Sequence, residues 1–369
     1  MKITLSRGAL LKPLTYVSSV VEKRQTLPIL SNVLLQFDGN NRLSLTGTDL
    51  EVEVITYTDN AKGEAGELSI NARKLFDITR ALPEDAEISI TAEDSGKAII
   101  RSGKSRFTVQ TLPVDDFPKI ETEQWNQEWK LPASIFKQAL TRTAFAMAQQ
   151  DVRFYLNGLL LVSDNDVLKT VATDGHRLAK TQCQLTSRST DEEIQAIVPR
   201  KAITELNHII EDSDTEISVS FNPNHIRVEL DSVIFTSKLI DGRFPDYEKV
   251  IPKNQDKSLI IDRNNLQNTL NRAAILTNEK FRGVRLIVAK DRMSVSANNP
   301  DQEEAFDEIN IEYTGDDVEI GFNVGYMLEA LNAINSEKVE MLLSDANSSG
   351  TIRVPGDEET VYIVMPMRL

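Results

Sequence analysis

One stretch of the chain places a carboxylate, an imidazole and a guanidinium almost side by side. Residues 171–178 read Val-Ala-Thr-Asp-Gly-His-Arg-Leu, so Asp174, His176 and Arg177 follow a short apolar run. These side chains could provide a general acid–base pair and a cation that holds a phosphate. A hydrolase that uses Asp174 and His176 is therefore one hypothesis, and loss of substrate turnover in a His176→Ala variant would support it. Adjacency in sequence, however, does not establish the hydrogen-bonding distance that such catalysis requires.

The rest of the sequence offers no second part of a catalytic or metal site. The other two histidines, His208 and His225, fall in an apparent helix and an apparent strand with no motif around them. The sequence contains no glycine-rich phosphate loop, no His-x-x-x-His pair and no Gly-x-Ser-x-Gly motif. A single cysteine, Cys183, excludes an intrachain disulfide framework and a cysteine-rich metal site. We therefore expect no catalytic residues, no metal ion and no cofactor.

The stretch is better explained as the middle copy of an internal repeat. Residues 43–50, Leu-Ser-Leu-Thr-Gly-Thr-Asp-Leu, have the same pattern, and residues 293–299, Met-Ser-Val-Ser-Ala-Asn-Asn, follow it more loosely. The interval is 125 residues from Asp49 to Asp174 and again from Asp174 to Asn299. Repetition at a fixed period indicates tandem structural units. We predict three domains, at residues 1–124, 125–254 and 255–369.

Each third of the chain predicts the same kinds of element around the repeated stretch. Ser6 can cap a helix whose apolar residues recur at helical spacing, although Pro13 could kink that helix. Further helices are predicted at residues 72–82, 133–148, 264–276 and 324–334. Short apolar runs between them, such as residues 156–162 and 360–365, predict strands. The expected fold class is α+β, with three tandem domains that are each an internally duplicated strand-helix-sheet unit.

Composition limits the class of protein and its partners. The 369 residues are 40% hydrophobic and 26% charged, and no apolar run approaches the roughly 20 residues that a membrane helix needs. The first residues lack the apolar core of a signal peptide, so we expect a cytoplasmic protein with no membrane partner. A formal net charge of −15 argues, on average, against nucleic acid. The predicted helices nevertheless carry an excess of lysine and arginine, which would form a basic lining if they share one surface.

A set of motifs along the whole chain resembles one protein family. The motifs are Leu-Pro-Ile-Leu at 27–30, Thr-Gly-Thr-Asp-Leu-Glu at 46–51, Thr-Asp-Gly-His-Arg-Leu at 173–178, Asp-Gly-Arg-Phe-Pro-Asp-Tyr at 241–247, Asn-Glu-Lys-Phe-Arg-Gly-Val at 278–284 and Val-Met-Pro-Met-Arg-Leu at 364–369. In this order they resemble the bacterial DNA polymerase III beta subunits, the sliding clamps. The resemblance implies a head-to-tail homodimer that forms a closed ring, with helices around a central hole for duplex DNA. It also implies a non-enzymatic processivity factor that tethers the replicative polymerase.

The resemblance further implies a hydrophobic groove that binds short linear motifs of DNA polymerases, the clamp loader and repair proteins. Its residues, carried over one by one, are Leu156, Thr173, Gly175, His176, Arg177, Leu178, Pro245, Lys249, Val250, Ile363, Val364, Met365, Pro366, Met367, Arg368 and Leu369. Flexible, polarisable methionine side chains suit a site that repacks around different peptides. Lys249 departs from the arginine frequent in the family and lacks the planar group for a bidentate contact.

The resemblance also implies sequence-independent contacts with duplex DNA. The matching residues are Arg24, Arg73, Gln150, Phe154 and Tyr155. Side chains that contact the DNA backbone carry no sequence information, as a sliding protein requires. Phe154 stands where the family commonly has tyrosine, so one hydroxyl contact is lost.

The dimer interface implied by the resemblance joins opposite ends of two chains. Ile275 and Leu276 match apolar interface positions of the third domain, and Phe107 matches the partner surface of the first domain. The charges near these positions are of opposite sign: basic Arg101, Lys104 and Arg106 against acidic Asp301, Glu303 and Glu304. A head-to-tail contact must close into a ring or polymerise. The alternative without a ring is a monomeric repeat scaffold that has no role on DNA.

Overall fold

The computed structural model describes residues 1–21, 27–93, 95–118, 120, 124–190 and 192–368. Within these ranges the helices are α1 (Arg7–Val20), α2 (Ala72–Ala81), α3 (Ala133–Ala144), α4 (Arg200–Ile209), α5 (Arg263–Ala274) and α6 (Val324–Ala333). Short 3-10 turns lie at Pro28–Ser31, Val114–Asp116, Phe154–Leu156 and Tyr247–Lys249. None of these helices combines the length and the apolar character that crossing a membrane requires.

Antiparallel strands make up most of each third of the chain. The first third contains β1 (Lys2–Ser6), β2 (Asn32–Phe37), β3 (Leu43–Thr48), β4 (Val52–Thr58), β5 (Lys62–Glu64), β6 (Gly66–Asn71), β7 (Glu87–Glu93), β8 (Lys97–Ser102) and β9 (Ser105–Leu112). The middle third contains β10 (Gln127–Pro132), β11 (Gly158–Asp164), β12 (Val167–Thr173), β13 (Arg177–Gln184), β14 (Ser187–Arg188), β15 (Ile194–Pro199), β16 (Glu216–Phe221), β17 (His225–Leu230) and β18 (Val233–Lys238). The last third contains β19 (Lys257–Asp262), β20 (Gly283–Ala289), β21 (Arg292–Asn298), β22 (Glu304–Asn310), β23 (Val318–Asn323), β24 (Lys338–Leu343), β25 (Gly350–Arg353) and β26 (Val361–Val364). The predicted α+β class is confirmed.

The chain divides into two compact units. The first unit comprises Met1–Ser134, Thr186–Thr190 and Thr204–Leu239. Its strands form one 14-stranded sheet in the order β14-β10-β16-β17-β18-β4-β3-β2-β6-β9-β8-β7-β1-β5. The pairing of β4 with β18, which sets Ile55 opposite Ile234, joins strands of the first and middle thirds.

The second unit comprises Ile135–Leu185, Asp191–Ile203 and Ile240–Leu369. It holds an eight-stranded sheet in the order β15-β11-β12-β13-β26-β25-β24-β19 and a four-stranded sheet in the order β22-β21-β20-β23. The pairing of β13 with β26 sets Leu178 opposite Ile363. Two stretches that lie far apart in sequence, and that were both predicted to form the groove, are thereby neighbours in one sheet.

Helix α1 packs closely on the sheet of the first unit and caps its neighbour α2. A Cβ atom on Gly47 of β3 would lie 2.5 Å from Val17 Cγ1, so only glycine allows this approach. Arg7, the first residue of α1, donates to the carbonyl oxygens of Thr79 (3.1 Å) and Arg80 (3.0 Å) at the end of α2. It thereby satisfies carbonyl groups that a helix end leaves without partners.

The predicted helices are present, but several of their ends differ from the prediction. Ser6 caps α1 as predicted, and Pro13 is accommodated inside the helix. The helix predicted at 133–148 ends at Ala144 because the chain turns there, and Ala148 N donates to Leu156 O at 3.0 Å. Apolar periodicity alone therefore extended this helix too far.

One strand begins at another residue than predicted, and one strand was not predicted. The strand predicted at 156–162 starts only at Gly158, because residues 154–156 form a 3-10 turn. The acidic residues from 301 to 308 gave no strand prediction, but they enter strand β22 at Glu304. Half-buried and exposed side chains alternate along this strand. The sequence did not indicate the alternation because many of these residues are acidic.

Candidate functional site

The turn between β12 and β13 is held together by its own side chains. Asp174 Oδ1 accepts hydrogen bonds from the backbone N–H groups of His176 (2.9 Å) and Arg177 (3.1 Å), and Thr173 Oγ1 accepts from Gly175 N (3.1 Å). Gly175 has φ of +87°, a left-handed conformation that glycine adopts without a steric penalty. The Asp174 carboxylate therefore serves the backbone of the turn.

The same turn recurs between β3 and β4. Asp49 Oδ1 accepts from the N–H groups of Glu51 (2.9 Å) and Val52 (2.7 Å), and Thr48 Oγ1 accepts from Leu50 N (3.0 Å). Leu50 occupies the position of the glycine and also has a positive φ, +76°. This copy has neither histidine nor arginine, yet its aspartate makes the same hydrogen bonds to the backbone. The aspartate in both copies therefore stabilises the turn and gives no evidence of catalysis.

The side chains of the middle turn do not form an acid–base pair. The His176 ring stacks on Tyr326, with centroids 6.4 Å apart and planes inclined by 16°. The second oxygen of Asp174 accepts from Arg177 Nε at 3.0 Å. Within the part of the chain that the structure describes, no three His, Cys, Asp or Glu side chains are grouped so as to hold a metal ion. The geometry therefore gives no support to the hydrolase hypothesis.

An apolar cluster lies against this turn, where residues 240–251 pack over the eight-stranded sheet. Its buried members are Ala148, Leu156, Leu160, Val162, Val171, Leu178, Ile197, Phe244 and Ile363. Tyr155, Ile240, Tyr247 and Ile251 are partly buried at its margin. A cavity of about 270 Å³ opens beside it, between the sheet and residues 243–248. The cluster supplies an apolar floor whose upper edge reaches solvent.

The end of the chain runs along the turn. Met365 N donates to His176 O at 2.9 Å, which continues the pairing of β13 with β26. Met367 N donates to Gly321 O at 2.8 Å and so attaches the tail to β23. The backbone between these two hydrogen bonds is thus fixed at both sides.

The predicted groove residues fall into three groups by exposure. Those that are buried are Leu156, Leu178, Ile363 and Val364, of which the first three belong to the floor. Those that are half-buried are Thr173, Gly175, Arg177, Val250, Met365, Pro366 and Met367. Those that are exposed at the rim are His176, Pro245, Lys249 and Arg368, whereas Leu369 lies outside the described residues. Lys249 Nζ pairs with Asp246 Oδ2 at 2.8 Å and faces solvent.

The predicted DNA-contacting residues lie in different parts of the chain. Gln150, Phe154 and Tyr155 belong to the loop between α3 and β11, where Phe154 is 57% exposed and its ring lies 5.8 Å from that of Tyr155. Arg73 lies on α2 in the first unit, where it pairs with Asp77 at 3.6 Å. Arg24 lies outside the described residues.

Arg153 connects that loop to the turn. Its Nε and Nη2 donate to both oxygens of Asp151 (3.0 and 2.8 Å), and Nη2 also donates to Asp174 O (3.2 Å). Hydrogen bonds from Arg153 lower the pKa of Asp151 to about 2. A Cβ atom on Gly175 would lie 2.8 Å from Arg153 Nη1, so the guanidinium fits directly against the glycine.

The predicted interface residues lie beside strand edges. Among the residues that the structure describes, strand β22 pairs with β21 alone, so its other edge has no strand partner, and Phe306 on it is 71% exposed. Ile275, at the end of α5, is 76% exposed, whereas Leu276 is half-buried. Phe107 lies half-buried on β9, which pairs with β6 only through residues 111 and 112. Each unit therefore presents an unpaired strand edge with apolar side chains.

Several residues of the site were missed by sequence reasoning. Phe244 and Tyr247 form part of the cluster, and burial raises the pKa of Tyr247 to about 12. Their motif was recognised, but nothing in it showed that its aromatic rings fold back onto the sheet. Tyr326 and Glu329 of α6 contact Arg177, and no signal in the sequence linked α6 to the turn.

Comparison with known proteins gives matches over the full length. Family models described as the N-terminal, central and C-terminal domains of the DNA polymerase III beta subunit match residues 1–121, 130–246 and 248–368. The beta sliding clamp of Pseudomonas aeruginosa is 47% identical over 371 residues, and that of Escherichia coli K12 is 47% identical over 370 residues; both matches cover 100% of each chain. A crystal structure of the Pseudomonas aeruginosa clamp bound to griselimycin matches with a TM-score of 0.96 and 47% identity, again over 100% of both chains.

The TM-score of 0.96 over both full chains shows that the two proteins share the same fold. Three domain models in tandem confirm the predicted three-domain organisation. The chain belongs to the family of bacterial DNA polymerase III beta subunits, the beta sliding clamps.

Proposed function

We propose that the apolar cluster, the turn at residues 173–177 and the terminal residues 365–368 form the groove by which this clamp holds its protein partners. The observation that carries the proposal is an apolar floor with partly buried side chains at its margin, beside the hydrogen bond that joins Met365 N to His176 O. Side chains of Leu or Phe size would be buried there, and each is worth about 1.5–3 kcal/mol on full burial. Partners are DNA polymerases, the clamp loader and repair proteins. Because the Pseudomonas aeruginosa clamp was crystallised with griselimycin, we propose that compound as a probe of this groove.

The function is that of a non-enzymatic processivity factor on duplex DNA. We propose that Arg24, Arg73, Gln150, Phe154 and Tyr155 contact the DNA backbone. A chain with a net charge of −15 makes weak direct contacts with phosphates, so retention depends on enclosing the DNA. A tethered polymerase then stays at high effective concentration near its template. We propose that the protein performs this role in the cytoplasm.

We propose that two copies join head to tail through the edges of β9 and β22 and so close a ring. Basic Arg106 lies beside Phe107 on β9, with Arg101 opposite it on β8, and acidic Glu304 lies on β22 near Phe306. Pairing would satisfy backbone groups that are free on both edges. Ile275 and Leu276 would be covered in the same contact. The domain boundaries after residues 124 and 254 remain part of this proposal.

Retention on DNA tests the enclosing mechanism. After loading by a clamp loader onto nicked circular DNA, the protein should stay bound through gel filtration in 0.5 M salt and should be lost once the circle is cut. Salt at that concentration screens the few phosphate contacts but does not open a ring. Equal retention on circular DNA and on linear DNA with free ends would contradict the mechanism. Blocking both ends of the linear DNA with bound protein is the control, and it should restore retention.

Substitution of Gly175 tests the role of the turn in the groove. We expect Gly175→Ala to cost about 1–2 kcal/mol of stability because alanine is strained at positive φ. Its Cβ would also displace Arg153 from Asp174 O, so the Kd for labelled griselimycin should rise at least threefold. Gly356, with φ of +79° and no atom near its Cβ position, provides the control. Gly356→Ala should lose similar stability in thermal unfolding and keep its affinity for griselimycin. Equal griselimycin affinities of the two variants would contradict the placing of this turn in the groove.

A further inference from the structure

The guanidinium of Arg177 occupies a socket built from three elements. Nε donates to Asp174 within the turn (3.0 Å), Nη2 donates to Phe145 O after α3 (2.8 Å), and Nη1 donates to Glu329 Oε2 on α6. All three nitrogens therefore have an oxygen partner. The side chain is only 10% exposed, which is unusual for an arginine beside a surface turn.

Aromatic rings enclose the same group. Arg177 Cζ lies 4.5 Å from the centre of the Tyr326 ring and 5.4 Å from that of Phe145. Burial lowers the pKa of Arg177, while the Asp174 carboxylate opposes the shift. A buried guanidinium that lost an acidic partner would keep its desolvation cost without the compensating attraction. Glu329 is thus important to the socket although half of its own side chain is exposed.

The socket is continuous with the groove. The carbonyl of His176, the residue before Arg177, accepts the hydrogen bond from Met365 N. Leu178, the residue after it, is part of the apolar floor. Arg177 therefore lies at the point of the turn where the terminal strand and the floor meet.

We infer that Glu329 is a positioning residue of the partner-binding groove: from α6 it holds Arg177, and thereby fixes the turn at residues 173–177 in the conformation that receives a ligand. This inference rests on the proposed location of the groove. Glu329 itself does not need to contact the ligand. Its effect is to prepare the groove before binding, which reduces the conformational freedom that the ligand must otherwise remove.

Binding of fluorescein-labelled griselimycin to the full-length protein tests this inference by fluorescence polarisation. Glu329→Ala should raise the Kd about three- to tenfold, chiefly through faster dissociation. Glu329→Gln, which keeps an oxygen acceptor, should recover part of that loss. The matched control is Glu312→Ala, which removes an exposed ion pair with Lys338 on the same unit and should leave the Kd unchanged.

A double-mutant cycle with Arg177→Ala separates positioning from general destabilisation. If Glu329 acts through Arg177, Glu329→Ala should have no further effect on the Kd in the Arg177→Ala background. An unchanged Kd in Glu329→Ala, or equal losses in both backgrounds, would overturn the inference. Failure of the unmodified protein to bind griselimycin would instead contradict the proposed groove. Thermal unfolding of each variant establishes that the binding measurements compare folded proteins.

Discussion

Deletion of Met365 to Leu369 should weaken the binding of a polymerase peptide by a hundredfold or more. The deletion removes two half-buried methionines and the hydrogen bond from Met365 N to His176 O. Two anchoring side chains of the peptide would then remain in water. Each is worth about 1.5–3 kcal/mol on full burial, so losing two of them weakens binding by roughly a hundredfold or more. Fluorescence polarisation with a labelled peptide that carries the clamp-binding motif of the polymerase measures the effect.

The same deletion should leave the ring intact. Residues 361–364 keep their pairing with β13 and β25, and the proposed interface strands β9 and β22 are untouched. Native mass spectrometry of the truncated protein should therefore give a dimer that is still retained on circular DNA. An intact dimer with unchanged peptide affinity would show that the groove lies elsewhere.

The second large effect is expected at the subunit interface. Replacement of both Ile275 and Leu276 by aspartate should convert the dimer into a folded monomer. Ile275 is 76% exposed in the single chain, so a carboxylate there costs little until a partner covers it. Covering two unpaired carboxylates with apolar surface is strongly unfavourable. Light scattering at micromolar protein concentration should give half the mass of the unmodified protein.

A surface isoleucine of the same unit provides the control for this experiment. Ile287 on β20 is 40% exposed and lies outside the proposed interface, so Ile287→Asp should remain dimeric. Circular dichroism should show that all three proteins are folded. Persistence of the dimer in the double variant would refute the assignment of Ile275 and Leu276, and a monomeric Ile287→Asp protein would mean that the interface has been misplaced.

Local pattern was sufficient to predict most helices and the repeat. The helix predicted at 324–334 corresponds to α6, because its apolar spacing and its Asn323 cap are both local features. The duplicated turn was visible because threonine and aspartate bond to the backbone a few residues away. Such interactions act within one turn, and a sequence shows them directly.

Contacts between distant residues could not be predicted in this way. The pairing of β4 with β18 and the salt bridge between Arg177 and Glu329 depend on how the whole unit folds. The groove residues were obtained from family resemblance, and the residues from α6 that support them were missed. Periodicity identifies which face of a strand is buried, but it carries no information about which other element covers that face.

The two copies of the turn also record how a duplicated segment diverged. Threonine and aspartate are present in both, at 48 and 49 and at 173 and 174, since the turn loses hydrogen bonds without them. The next three residues have changed from Leu-Glu-Val to Gly-His-Arg. Those positions have the same backbone role in both copies, a positive φ at the first residue and N–H groups of the next two that bond to the aspartate, so the two turns differ only in their side chains. One backbone turn therefore carries two different sets of side chains, and only the set at 175–177 brings the turn into contact with Tyr326 and Glu329 of α6.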